Sequence, residues 1–138
     1  MDDEARRSRN LATMQAIREL LRHGDWPGLL QHWADNGVME LPYAMPGVPS
    51  RAEGREAIAK SGEVSLAMFS RFETPVFELH PTTDPDVFFA EYESDAEIRQ
   101  SGRPYRNTYV GYFLLRDGKV VHWKEYFNPN VVREAFRP

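Results

Sequence analysis

A chain of 138 residues with 41% hydrophobic and 12% aromatic side chains is long enough to bury one core, and its length predicts a single domain spanning 1–138. A net charge of -4 with scattered basic residues argues against a nucleic-acid partner, and the absence of cysteine excludes disulfides, thiolate nucleophiles and sulfur-ligated metals. The opening MDDEARRSRN lacks an apolar run, and no stretch reaches the ~18 to 20 apolar residues of a membrane span. The expectation is therefore a soluble, cytoplasmic protein with neither a secretory leader nor a membrane partner.

The first element is an amphipathic helix over residues 4–23, with Leu11, Met14, Ile17 and Leu21 at helical spacing. Gly24 suits the left-handed position that ends it. Asp25 then caps a second helix with Pro27 in its first turn and Leu29, Leu30 and Trp33 on its apolar side. Residues 38–43 read as a short strand. The loop 44–54 that follows holds two prolines and two glycines, which predicts irregular backbone. Tyr43 at its start is a candidate rim residue over a pocket, and a plain surface position is the alternative.

Helical spacing returns over residues 55–72, where Ile58, Ser61, Ser65, Met68 and Phe72 share one stripe. The serines either permit close packing on a sheet or present hydroxyls to a cavity. The period then changes to two. Residues 74–80, 87–98, 107–115 and 120–127 read as strands, the last two joined as a hairpin by Arg116-Asp117-Gly118-Lys119. A short helix over 129–136 closes the chain, with Asn128 as its cap. Helices first and antiparallel strands after predict an α+β class.

Alternation assigns faces. In 87–98 the acidic set Glu91, Glu93, Asp95 and Glu97 belongs in solvent, so Tyr92 and Ser94 look inward. In 107–115 either face fits. If the odd one is inward, Asn107 and Tyr109 join Tyr92 and Ser94, and Gly111 marks a close approach. In the last strand Val121, Trp123, Glu125 and Phe127 share a face opposite His122, Lys124 and Tyr126. Glu125 is then a carboxylate among large apolar groups, unless the register is off by one. Burying it is costly without a partner or a proton, which makes it the candidate acid/base residue of a small-molecule pocket. The four histidines are too dispersed in sequence to predict a metal, and no cofactor is expected.

Three stretches, ELPYAMPGVPSRAEGREAI, GRPYRNTYVGYF and RDGKVVHWKEYFNP, resemble the NTF2-like superfamily, also called SnoaL-like or ketosteroid-isomerase-like. The resemblance spans nearly the whole chain. It implies a cone of N-terminal helices on a curved antiparallel sheet enclosing a pocket, and a homodimer through the outer sheet face of Thr108, Val110, Tyr112 and Leu114. It also implies an isomerase, cyclase, condensing enzyme or dehydratase, with a non-catalytic binding protein as the alternative. The phenazine-biosynthesis A/B proteins are similar in the Asp117-Gly118-Lys119 run and in a glutamate at Glu125, taken there as the acid/base. Their helical His and Ser fall on Ser61 and Ser65, so only the serine is kept. Limonene-type epoxide hydrolases resemble Trp123 to Asn128. Their Arg and Asp, two apart on a neighbouring strand, fall on Tyr92 and Ser94, which does not support a water-activating triad. The substrate-binding set expected around Glu125 is Tyr43, Ser65, Met68, Tyr92, Ser94, Asn107, Tyr109, Trp123 and Phe127.

Overall fold

The computed structural model describes residues 1–138. Helix α1 (Asp3–Arg22) starts at Asp2, whose carboxylate accepts from the Ala5 amide, and ends at Gly24 with φ +69°. Its stripe of Met14, Ile17 and Leu21 is buried, as the spacing predicts. The second predicted helix is shorter and tighter than expected. It is a 3-10 segment, Pro27–His32, and the Asp25 carboxylate accepts from the Gly28 amide. Trp33 is not on that helix; it opens the first strand.

Seven strands form one sheet. They are β1 (Trp33–Glu40), β2 (Arg51–Glu53), β3 (Phe69–Pro81), β4 (Val87–Ile98), β5 (Pro104–Tyr105), β6 (Thr108–Arg116) and β7 (Lys119–Phe127). The order is β2-β1-β7-β6-β4-β3, with β5 paired to β4. The sheet is mixed rather than wholly antiparallel, because β1 runs parallel to β7. Helix α2 (Arg55–Leu66) ends six residues before the predicted limit, and Phe69 and Phe72 belong to β3 instead. The β-branched and aromatic content of Phe69–Phe77, paired along β4, overrides the helical spacing. Part of the proline-rich loop, Arg51–Glu53, is recruited as an edge strand by pairing with β1. Helix α3 (Pro129–Ala135) is capped by the Asn128 side chain, which accepts from the Asn130 amide.

The hairpin forms as predicted, with Asp117 at φ 52° and Gly118 at φ 75°. One detail differs. Leu114 pairs with His122 but Leu115 with Val120, so Val121 is a bulge residue and Val120 takes the core position expected of Val121. From His122 onward the alternation is the expected one. The core lies between the inward sheet face and α1 with the 3-10 segment, and centres on Met14, Ile17, Phe88, Phe113, Leu115 and Trp123.

Candidate active site

The odd face of β6 is the inward one: Tyr109, Gly111, Phe113 and Leu115 are buried and Val110 is exposed. Strand pairing then aligns two rows across the sheet. Ala90, Gly111 and Glu125 form one row, and Tyr92, Tyr109 and Phe127 the next. Tyr92 reaches across the rows. Its hydroxyl donates to Glu125 Oε1 at 2.6 Å and accepts from Trp123 Nε1 at 3.1 Å. A side chain at position 111 would block that path, because an added Cβ would lie 3.0 Å from Tyr92 Cε1 and 2.7 Å from Phe113 Cε1. The glycine is what lets a β4 tyrosine touch a β7 carboxylate. Gly111→Ala is accordingly expected to cost about 1–3 kcal/mol by overpacking and to loosen the Tyr92–Glu125 bond, read as a lower melting temperature and a downfield-to-upfield change of the Tyr92 hydroxyl proton in NMR.

The electrostatics follow from that placement. Glu125 keeps some exposure as a residue, but its carboxyl group is desolvated, and burial pushes its pKa up to about 7 against the opposing Tyr92 hydrogen bond. Burial also raises the Tyr92 phenol well above its ordinary value, reinforced by the charge of Glu125. Tyr92 therefore stays a neutral donor, and its proton is already committed to Glu125. Stacked rings fix it in place: Phe77 at 5.2 Å on one side and Tyr109 at 5.0 Å on the other. Trp123 is held in turn between Trp26 at 6.0 Å and Trp33 at 6.1 Å.

Of the predicted set, Glu125, Tyr92 and Trp123 form one hydrogen-bonded chain, with Tyr109 stacked on Tyr92 and Phe127 6.4 Å from Tyr109. Ser94 and Asn107 sit near it but serve the backbone. Asn107 donates to Tyr105 Oη and the Asn128 carbonyl and accepts from the Thr108 and Asn128 amides. Its hydrogen-bonding capacity is filled. Ser94 Oγ accepts from the Asn107 amide and from Tyr109 Oη at 2.9 Å. These two residues pin β4, β6 and the start of α3 together. Burial raises the Tyr109 phenol as well, so it too remains neutral.

Three candidates lie outside this group. Tyr43 is 53% exposed and packs edge-on against Tyr126, whose side chain is on the sheet face opposite Glu125. Met68 is exposed between α2 and β3, and Ser65, half-buried on α2, makes none of the group's hydrogen bonds. Trp26, Phe77 and Tyr105 join the group without having been predicted. Gly111, a close approach by sequence, lies opposite Glu125 through the hairpin register.

Two open clefts are the best defined of those on the surface. One of about 570 Å³ lies between α1 and β3, and one of about 400 Å³ between β5 and α3. Neither is lined by Glu125, although Phe77 forms part of the first and stacks on Tyr92. No helix is long and apolar enough to cross a membrane.

Comparison with known proteins gives a consistent family. Residues 14–123 match the SnoaL-like domain. The uncharacterized protein YesE of Bacillus subtilis strain 168 is 32% identical over 127 residues, covering 90% of this chain and 84% of that protein. The uncharacterized PhzA/B-like protein PA3332 of Pseudomonas aeruginosa is 32% identical over 113 residues, covering 80% and 77%. Among solved structures, a phenazine-biosynthesis-related protein from Pseudomonas aeruginosa superposes with a TM-score of 0.83 at 23% identity, over 97% of this chain and 88% of that one. Sequence and fold agree, and the chain belongs to the SnoaL-like family, with the NTF2-like fold.

Proposed function

We infer that this chain is a cytoplasmic small-molecule enzyme in which Glu125 moves a proton on a carbonyl-containing or polyketide-like substrate of secondary metabolism. The observation that carries the reading is a carboxyl group desolvated beside Tyr92, at 2.6 Å from its hydroxyl, whose burial pushes its pKa up to about 7 against that hydrogen bond. At neutral pH such a group is present in both protonation states, so it can take a proton from carbon and return it elsewhere. In the simplest step the carboxylate removes a proton α to a carbonyl, the C–H electron pair becomes the C=C bond, and the carbonyl pair moves to oxygen. Return of the proton at another position gives isomerisation. Attack of the enolate on a second carbonyl, whose oxygen takes the proton back, gives cyclisation or condensation, and expulsion of a β-hydroxyl as water, with the proton Glu125 has taken, gives dehydration. Membership of the SnoaL-like family and the PhzA/B-like relative support this class of reaction.

Tyr92 acts in this scheme as a positioning residue, since its proton is spent on Glu125 rather than on a substrate oxygen. Replacing Glu125 with Gln tests the scheme: turnover should collapse while ligand affinity persists. A non-catalytic binding protein is the second reading, favoured by the position of the two best-defined clefts away from Glu125. In that case Glu125→Gln would change affinity for a cationic ligand, with no turnover to lose.

The assembly belongs to the same proposal. Val76, Phe89 and Val110 are 46%, 40% and 40% exposed on the outer sheet face, an apolar area that a second copy would cover. Light scattering after size-exclusion chromatography should give twice the 16.0 kDa chain mass, and Val110→Lys should shift it toward the monomer. A wild-type mass of one chain would refute the dimer.

A further inference from the structure

We propose that Glu78, His80 and Glu91 form a binding site for a divalent transition-metal ion of the zinc class on the outer face of the sheet. The three offer ligand atoms that all lie within 4.8 Å of one another. Glu78 and His80 are two apart on β3, which puts both side chains on one face, and Glu91 is the residue paired with Glu78 on β4. His80 Nε2 is already 3.0 Å from Glu91 Oε1. Ligands held at about 2.0–2.2 Å in a tetrahedral shell stand roughly 3.3–3.5 Å apart, so the remaining closure asks only for rotation of exposed glutamate side chains.

The surroundings single this cluster out from ordinary surface acids. Glu78 and Glu91 are a directly opposed like-charge pair, an arrangement that destabilises a sheet. No lysine or arginine pairs with either, and the one ionic contact of Glu91 is His80. The neighbours in register are apolar and exposed: Phe89 beside His80, Val110 beside Glu91, and Val76 two residues before Glu78. A dication between the two opposed carboxylates would relieve their mutual repulsion. One imidazole with two carboxylates is the donor set of zinc, cobalt, nickel or manganese, whereas calcium and magnesium take oxygen alone. Because β3 is the last strand of the sheet, the ion would sit at the margin of the outer face, beside the apolar patch that a second copy is proposed to cover, and water would complete its coordination.

The test is titration of the EDTA-treated chain with Co²⁺, followed by its visible ligand-field bands, and competition with Zn²⁺. One ion per chain is expected, displaced by Zn²⁺. His80→Gln and Glu91→Gln should each weaken binding by more than about tenfold. His122, paired with Glu40 at 2.6 Å, is the alternative imidazole–carboxylate pair, and His122→Gln should leave binding unchanged. The three altered residues are partly or largely exposed, so melting curves without metal should show folded variants. Absence of saturable Co²⁺ binding, or binding that survives His80→Gln or is lost with His122→Gln, overturns the proposal.

Discussion

Glu125→Gln is expected to lower turnover by about 10²- to 10⁴-fold, the range a single general acid/base contributes. Stability should move the other way. The folded Glu125 carboxyl has a pKa of about 7, and an unfolded glutamate titrates near ~4.3. The folded chain therefore holds this proton more tightly than the unfolded one. That contribution is complete below pH ~4.3 and is lost as the pH rises through 7. Over the whole shift of about 2.7 pKa units the wild type should lose about 3–4 kcal/mol, at 1.36 kcal/mol per unit. Glutamine carries no such slope, so the variant should be the more stable protein at pH 8, by roughly 5–10 °C in melting temperature, and near parity at pH 5. Wild-type kcat/KM should bend near pH 7. A melting-temperature difference that stays flat between pH 5 and pH 8 would refute the desolvated carboxyl on which the proposed chemistry stands.

Trp123→Ala is expected to be the most damaging single truncation. Trp123 is 1% exposed and stacks on both Trp26 and Trp33, with Phe113 at 4.8 Å. Deleting the ring leaves a cavity at the meeting point of the 3-10 segment, β1, β6 and β7, at a cost of about 3–5 kcal/mol. That is a large fraction of the roughly 5–15 kcal/mol of an ordinary domain. Trp123→Phe separates packing from hydrogen bonding. It keeps most of the ring area but removes the N–H that Tyr92 Oη accepts, so a loss of about 1 kcal/mol is expected. Urea unfolding measures both. If alanine costs no more than phenylalanine, the stack is not the centre of the core.

The amphipathic stripe of α1, the left-handed Gly24, the Asp-Gly turn and the alternation of β4 were all legible locally, because each depends on neighbours within a few residues. Glu125 and Tyr92 could likewise be nominated, since a carboxylate and a phenol on strand faces otherwise filled with Phe, Trp and Val stand out. Their contact could not be read. It needs β4, β6 and β7 aligned in register and a glycine at the crossing point, and the two residues it joins are 33 positions apart. The same holds for what went astray. The end of α2 was masked because Met68 and Phe72 continue a helical spacing, while pairing with β4 claims Phe69–Pro81 for the sheet. Ser94 and Asn107 looked like ligand donors until the fold showed their atoms engaged by backbone.

The sequence by itself determined the α+β class, the hairpin and the face on which Glu125 lies, since periodicity and turn chemistry act over short range. Only the tertiary structure decided which groups surround that carboxyl. It also brought His80 to Glu78 and Glu91, a proximity set by strand pairing and invisible in the spacing of four scattered histidines.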